Sequence, residues 1–116
     1  MNTRFRRWLF ANFSLFVPAI IKKYKNGLAR AYASQGVIYS EESNYYMALE
    51  MYQNALKLYQ EIDQKNSISK AYNNIGIVYK SKQNNTKALE FFKKALAIQE
   101  EIGEQTVPVT LTNIGV

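Results

Sequence analysis

The sequence predicts an all-α fold in which antiparallel helix pairs stack one after another along the chain. The first observation behind this prediction is an internal repeat, because residues 31–39 recur in register as residues 71–79. The match continues through the triplet Ala-Leu-Glu at 48–50 and again at 88–90. The second observation is that apolar residues within each copy recur at three and four residues, the spacing of one helix face. A repeat of about 40 residues is typical of helix pairs that bury their apolar faces only against their neighbours.

Each copy contains two predicted helices joined by a short turn. The first helices are expected at 28–41 and 67–82, and the second helices at 45–62 and 85–102. Asn44 and Asn84 stand where each second helix begins, and their side chains are suited to accept from the first free backbone amides. Gly103 stands where a left-handed C-cap ends the second copy, and Asp63 takes the same place in the first copy.

The repeat divides the chain into four segments. They are a leader at 1–24, a first repeat at 25–66, a second repeat at 67–105 and the first helix of a truncated third repeat at 106–116. In the last segment Thr106 followed by Pro108 fits an N-cap and a first-turn proline. Because such stacks need at least about three repeats and polar end caps, we expect the chain to be a piece of a longer protein or a truncated gene product. The open C-terminal repeat also provides a surface for self-association.

Small and large residues alternate along the predicted helices, which explains how the helices pair. Glycine and alanine let two helix axes approach closely, and an aromatic ring from the partner helix fills the space beside them. The residues expected to pack the repeats are Tyr32, Gly36, Tyr39, Ala48, Tyr52, Ala55, Tyr72, Gly76, Tyr79, Ala88, Phe92 and Ala95. The spacing of the aromatic residues follows the packing face, so we interpret them as core and not as a base-stacking platform.

This pattern resembles a known family. The run Tyr72-x-x-Ile75-Gly76-x-x-Tyr79, followed by Ala88-x-x-x-Phe92-x-x-Ala95, is similar to the tetratricopeptide repeat in its extended variant of about 40 residues. The first copy departs from the family at Gln35, where leucine is preferred, and neither copy has the closing proline, since Gln60 and Glu100 take its place. The resemblance implies a right-handed superhelical stack of helix pairs, an α-solenoid.

The resemblance also implies a function, namely a protein-protein interaction scaffold that binds a peptide or helix of a partner in a concave groove lined by the first helices. Asparagines in that groove commonly hydrogen-bond the ligand backbone, a task that suits an uncharged group able to donate and accept. The expected groove residues are Ser34, Lys70, Asn73, Asn74, Ile77, Lys80 and Asn113. The alternative is a membrane-tethered or exported input domain of a signalling system, with this chain a fragment of a larger signalling protein.

Composition excludes several classes of site. The chain has no histidine and no cysteine, which rules out imidazole-based catalysis and thiolate or imidazole metal ligation. We therefore expect no enzymatic activity, no cofactor and no metal. The net charge of +6 does not indicate nucleic-acid binding, because seven positive side chains and no acid lie in the first 30 residues. The remainder carries eight positive and nine acidic side chains and offers no phosphate-tracking stripe.

The leader leaves three interpretations open. It has three arginines, an apolar run at 8–21 and then Lys22-Lys23. The run could be part of a signal peptide or membrane anchor, although it is shorter than the ~20 residues that span a bilayer. It could be an interfacial basic-aromatic segment that contacts a membrane, or a packing helix or irregular tail. We expect a soluble intracellular protein in preference to an exported or membrane-anchored one.

Overall fold

The computed structural model describes residues 2–103, and this part of the chain is folded as four α-helices. They are α1 at Thr3–Glu41, α2 at Tyr45–Glu61, α3 at Lys65–Ser81 and α4 at Asn85–Ile102. Each helix contacts the next along the chain, α1 with α2, α2 with α3 and α3 with α4. The described chain contains no strand, so the prediction of an all-α fold of stacked helix pairs is confirmed.

The predicted caps of the second helices are present. The side-chain oxygen of Asn44 accepts from the backbone N–H of Met47 at 3.3 Å, and that of Asn84 accepts from Lys87 at 3.2 Å. Each bond satisfies a backbone donor that the first turn of a helix leaves without an internal partner. The helix α3 begins at Lys65, two residues before the predicted start, and no side chain caps it.

The three turns between helices share one backbone feature. Ser43, Asp63 and Gln83 have φ of 61°, 53° and 63°, the left-handed conformation that closes a short helix-to-helix turn. The prediction for Asp63 is confirmed. The prediction of a left-handed C-cap at Gly103 is wrong, because its φ of 159° and ψ of 152° are extended. The backbone N–H of Gly103 instead donates to the carbonyl of Gln99 while the chain leaves the helix extended.

The helices pack through small residues that face aromatic rings. A Cβ added at Gly36 would lie 2.6 Å from Cε1 of Tyr52, and one added at Gly76 would lie 2.7 Å from Cε1 of Phe92. The ring of the second helix in each pair therefore occupies the space that a side chain would fill. Ile75 and Val78 are the largest fully buried side chains, and they pack between α2 and α3.

The leader is helical and continues into the first repeat. The helix α1 runs without a break from Thr3, with Asn2 as its N-cap, so the leader is not an irregular tail. Side-chain bonds from α1 to later parts of the chain begin at Lys25, which pairs with Glu61 of α2 at 3.1 Å, and at Asn26, which accepts from Gln64 in the turn before α3. Over residues 2–103, no helix combines the length and hydropathy needed to cross a bilayer. The predicted third-repeat segment, 106–116, lies outside the described residues.

Candidate functional site

The predicted groove residues of α3 form one stripe along its surface. They lie three or four residues apart, which places them on a single helix face that we call the α3 stripe. Its members are Lys70, Asn73, Asn74, Ile77 and Lys80. All are exposed except Asn74, which is half-buried. Ser34, on α1, is also exposed, and Asn113 lies outside the described residues.

The buried residues of α3 lie on the face opposite the α3 stripe. Ile68, Ala71, Ile75 and Val78 are buried there, and Gly76 sits against α4. Because this face is held on two sides by neighbouring helices, the α3 stripe is left facing solvent.

A buried hydroxyl also ties α3 to α4. The Oγ of Ser69 donates to the carbonyl of Ala95 at 3.1 Å and accepts from Nε2 of Gln99 at 2.9 Å. Ser69 is only 4% exposed, and its bond to Ala95 is buried while its bond from Gln99 is partly buried, which limits competition from water. The rotation of α3 about its own axis is therefore fixed by directional bonds as well as by packing.

The charge on α3 is wholly positive. The helix contains three lysines and no acid, and Lys65 pairs with Glu101 at 2.6 Å. The hydrogen bond to Glu101 is the main reason that the pKa of Lys65 is raised above its ordinary value of 10.5. Within residues 2–103, neither Lys70 nor Lys80 has an ion-pair partner. The stripe therefore presents two cations with the exposed side chain of Ile77 between them.

Asn74 lies at the centre of the stripe with its amide available. No hydrogen bond from its side chain to another residue exists in the described part of the chain. No buried side-chain polar atom there lacks a partner, so the amide of Asn74 is reachable from solvent. A half-buried amide of this kind can donate to and accept from a ligand backbone without first losing an internal bond.

The corresponding surface of α1 includes two residues that the sequence reasoning missed. Arg30 and Val37 stand one repeat before Lys70 and Ile77, and both are exposed. The 40-residue offset was the signal that would have found them, since it pairs a cation with a cation and an aliphatic residue with an aliphatic residue. Ser34 lies between them as Asn74 lies between Lys70 and Ile77.

The predicted packing residues divide into two groups by burial. Those in the first group are buried, namely Gly36, Ala48, Tyr52, Ala55, Gly76, Ala88 and Ala95. Those in the second group are half-buried aromatic residues, namely Tyr32, Tyr39, Tyr72, Tyr79 and Phe92. Phe91, which was not predicted, stacks on Tyr79 with ring centroids 5.5 Å apart, and Lys94 lies over the Phe91 ring at 4.8 Å. Lys82 and Lys87 lie over the Tyr79 ring at 5.7 Å and 5.2 Å, so cations border this stacked pair.

Residues 2–103 contain no group of histidine, cysteine or acidic side chains arranged to hold a metal. An open depression of about 340 Å³ is lined by α2 residues, including Tyr46 and Glu50, and by Lys82. None of the residues of the α3 stripe lines this depression.

Comparison with known proteins identifies one family. A model of the tetratricopeptide repeat family matches residues 27–101. This range covers nearly all of the two predicted repeats, at 25–66 and 67–105, and none of the leader at 1–24. Among curated proteins and among solved structures, no match to the chain was found.

Proposed function

The chain belongs to the tetratricopeptide repeat family, and from that premise we propose that the surface of α1 and α3 binds an extended or helical peptide of a partner protein. Tetratricopeptide repeats are non-catalytic scaffolds that generally mediate protein-protein interaction. The observation that carries the proposal is the half-buried amide of Asn74, which makes no side-chain hydrogen bond to another residue within 2–103 and is flanked by exposed Lys70 and Ile77.

The chemistry of the α3 stripe supports a particular kind of peptide. Lys70 and Lys80 are ten residues apart, so their Cα atoms are separated by about 15 Å along the helix. An extended peptide covers about 3.3 Å per residue, and two acidic residues four or five positions apart would match this separation. Ile77 offers an apolar contact between the two cations. We therefore propose a peptide with two acidic residues that flank an aliphatic or aromatic one.

A peptide selection tests this proposal. The full chain would be used to select binders from a displayed random-peptide library, and their affinities would then be measured by fluorescence anisotropy. The double variant Lys70→Ala, Asn74→Ala should bind the selected peptides about ten-fold or more weakly, because it loses one cation and one amide. The matched control is Lys57→Ala, Gln53→Ala on α2, which removes the same two chemical groups from exposed positions. Equal affinities for both double variants would refute the groove assignment.

A further inference from the structure

The leader exposes an unusually large apolar surface. Ten large apolar or aromatic side chains of the leader are each between 47% and 74% exposed. They are Phe5, Trp8, Leu9, Phe10, Phe13, Leu15, Phe16, Ile20, Ile21 and Tyr24. A contiguous apolar patch of this extent marks an interaction surface, because water disfavours it strongly. Within the described part of the chain, α2 does not extend along it, since α2 ends at Glu61 beside Lys25. The leader therefore projects about 33 Å past α2.

The leader helix has two different faces. At 100° per residue, five of the ten large side chains fall within an arc of about 80°, and the other five lie on the flanks of that arc. The set within the arc consists of Phe5, Leu9, Phe13, Phe16 and Ile20, which we call the apolar face. Roughly opposite, a second stripe contains cations and small or polar residues, and we call it the cationic stripe. Its members are Arg4, Arg7, Ala11, Ser14, Pro18 and Lys22.

The charge of the leader decides what can cover the apolar face. Arg4, Arg6, Arg7, Lys22 and Lys23 have no acidic partner among residues 2–103. The first acid of the whole chain is Glu41, so two leaders from two copies would bring only like charges together. An anionic lipid surface has the opposite charge and an apolar interior. We propose that the leader helix lies in the headgroup region of an anionic membrane, with the apolar face towards the lipid chains.

The dimensions fit a helix lying on the membrane. The apolar run at 8–21 is about 21 Å long, well short of the ~30 Å hydrocarbon core, and basic residues flank both of its ends.

The polar groups of the leader are also placed for this position. Pro18 has no N–H, so the carbonyl of Ser14 loses its usual helical donor. Both residues belong to the cationic stripe, where water can bond that carbonyl. Away from the cationic stripe, the side-chain amide of Asn12 donates to the carbonyl of Trp8 at 2.7 Å. This bond lowers the free-energy cost of moving the Asn12 amide out of water.

The same geometry sets the orientation of the repeats. Ala29 and Gly36 lie on the same side of α1 as the cationic stripe, since they follow it at helical spacing. Both residues are buried, and Gly36 contacts Tyr52 of α2. The apolar face therefore points away from α2, and the helices that follow α2 stay on the water side. This inference is independent of the peptide-binding proposal, because it rests on none of the residues of the α3 stripe.

Vesicle binding by two matched variants of the full chain tests the proposal. Phe16→Glu and Ser14→Glu each add one negative charge to the leader, but on the apolar face and on the cationic stripe respectively. We expect the wild-type chain to co-sediment with vesicles of phosphatidylcholine and phosphatidylserine and much less with phosphatidylcholine alone. Phe16→Glu should bind the anionic vesicles at least about ten-fold more weakly than Ser14→Glu, since it loses the burial of one aromatic side chain.

The single tryptophan, Trp8, gives a second readout. Its fluorescence should shift to shorter wavelength with anionic vesicles in the wild type and in Ser14→Glu, and less in Phe16→Glu. If either variant loses helical circular dichroism, Leu9→Glu and Ala11→Glu form a second pair with the same geometry. Absence of binding to anionic vesicles, or equal binding by both members of a pair, overturns the proposal. A dimer in analytical ultracentrifugation that Phe16→Glu dissociates would assign the apolar face to a second copy instead.

Discussion

The close contact at Gly36 predicts a sign reversal between two glycine-to-alanine substitutions in one helix. Both Gly27 and Gly36 lie inside α1, where alanine is preferred over glycine by about 1 kcal/mol. A Cβ at Gly27 meets no atom within 4 Å, so Gly27→Ala should stabilise the fold by about 0.5–1 kcal/mol. A Cβ at Gly36 would lie 2.6 Å, 2.7 Å and 3.0 Å from three ring atoms of Tyr52.

The Tyr52 ring cannot move aside easily, because it is rigid and only 4% exposed. Overpacking of this kind costs about 1–3 kcal/mol, which exceeds the gain in helix propensity. We therefore expect Gly36→Ala to lower the free energy of unfolding by about 1–2 kcal/mol, measured by urea denaturation with circular dichroism detection. In a protein that already carries Tyr52→Leu, Gly36→Ala should lower the free energy of unfolding by less than it does in the wild type. If Gly36→Ala stabilised the protein as Gly27→Ala does, the close packing of α1 on α2 would be refuted.

Three further predictions concern stability. Ser69→Ala should destabilise by about 1–2 kcal/mol in urea denaturation, because the carbonyl of Ala95 and the amide of Gln99 lose a buried partner, and an unchanged midpoint would contradict this. Gln83→Gly should stabilise by about 0.5–1 kcal/mol in the same assay, since glycine adopts a φ of 63° without steric cost, and a lower midpoint would show that the turn is held differently. Burial raises the pKa of Tyr52 above 10.0, so its contribution to stability is complete below pH 10.0 and is lost as the pH rises above it. The alkaline loss of stability should be smaller in Tyr52→Phe than in the wild type, and equal losses in the two proteins would contradict the shift.

Most of the helix positions followed from local sequence signals. Asn44 and Asn84 marked the starts of α2 and α4, because an asparagine side chain is a strong acceptor for free amides. Ser43 and Gln83 were not anticipated as left-handed residues, since neither is a typical choice for that conformation. The leader lacked the repeat signal, and its apolar run was compatible with several structures. Asn2, the N-cap of α1, was not predicted, because the leader was not assigned to a helix.

The candidate site was predictable in part. Lys70, Asn74 and Ile77 lie on one face of α3 because the spacing of residues on a helix is fixed by its geometry. The absence of an internal hydrogen bond at Asn74 within the described chain was not readable from the sequence, since it depends on which residues α2 and α4 bring near it. The same holds for the direct bonds that fix Ser69.

By itself, the sequence determined the helix pairs, their repeat and the faces on which apolar residues recur, because these follow from local spacing and capping. Only the tertiary structure decided which of these faces are covered. Ile38 and Val78 occupy the same repeat position, yet Ile38 is 53% exposed and Val78 is fully buried. The reason is that α3 packs against the α2 helix before it, whereas α1 has no preceding helix in the described chain. Burial depends on the neighbour that the stack supplies, and a repeated sequence is the same whether that neighbour is present or not.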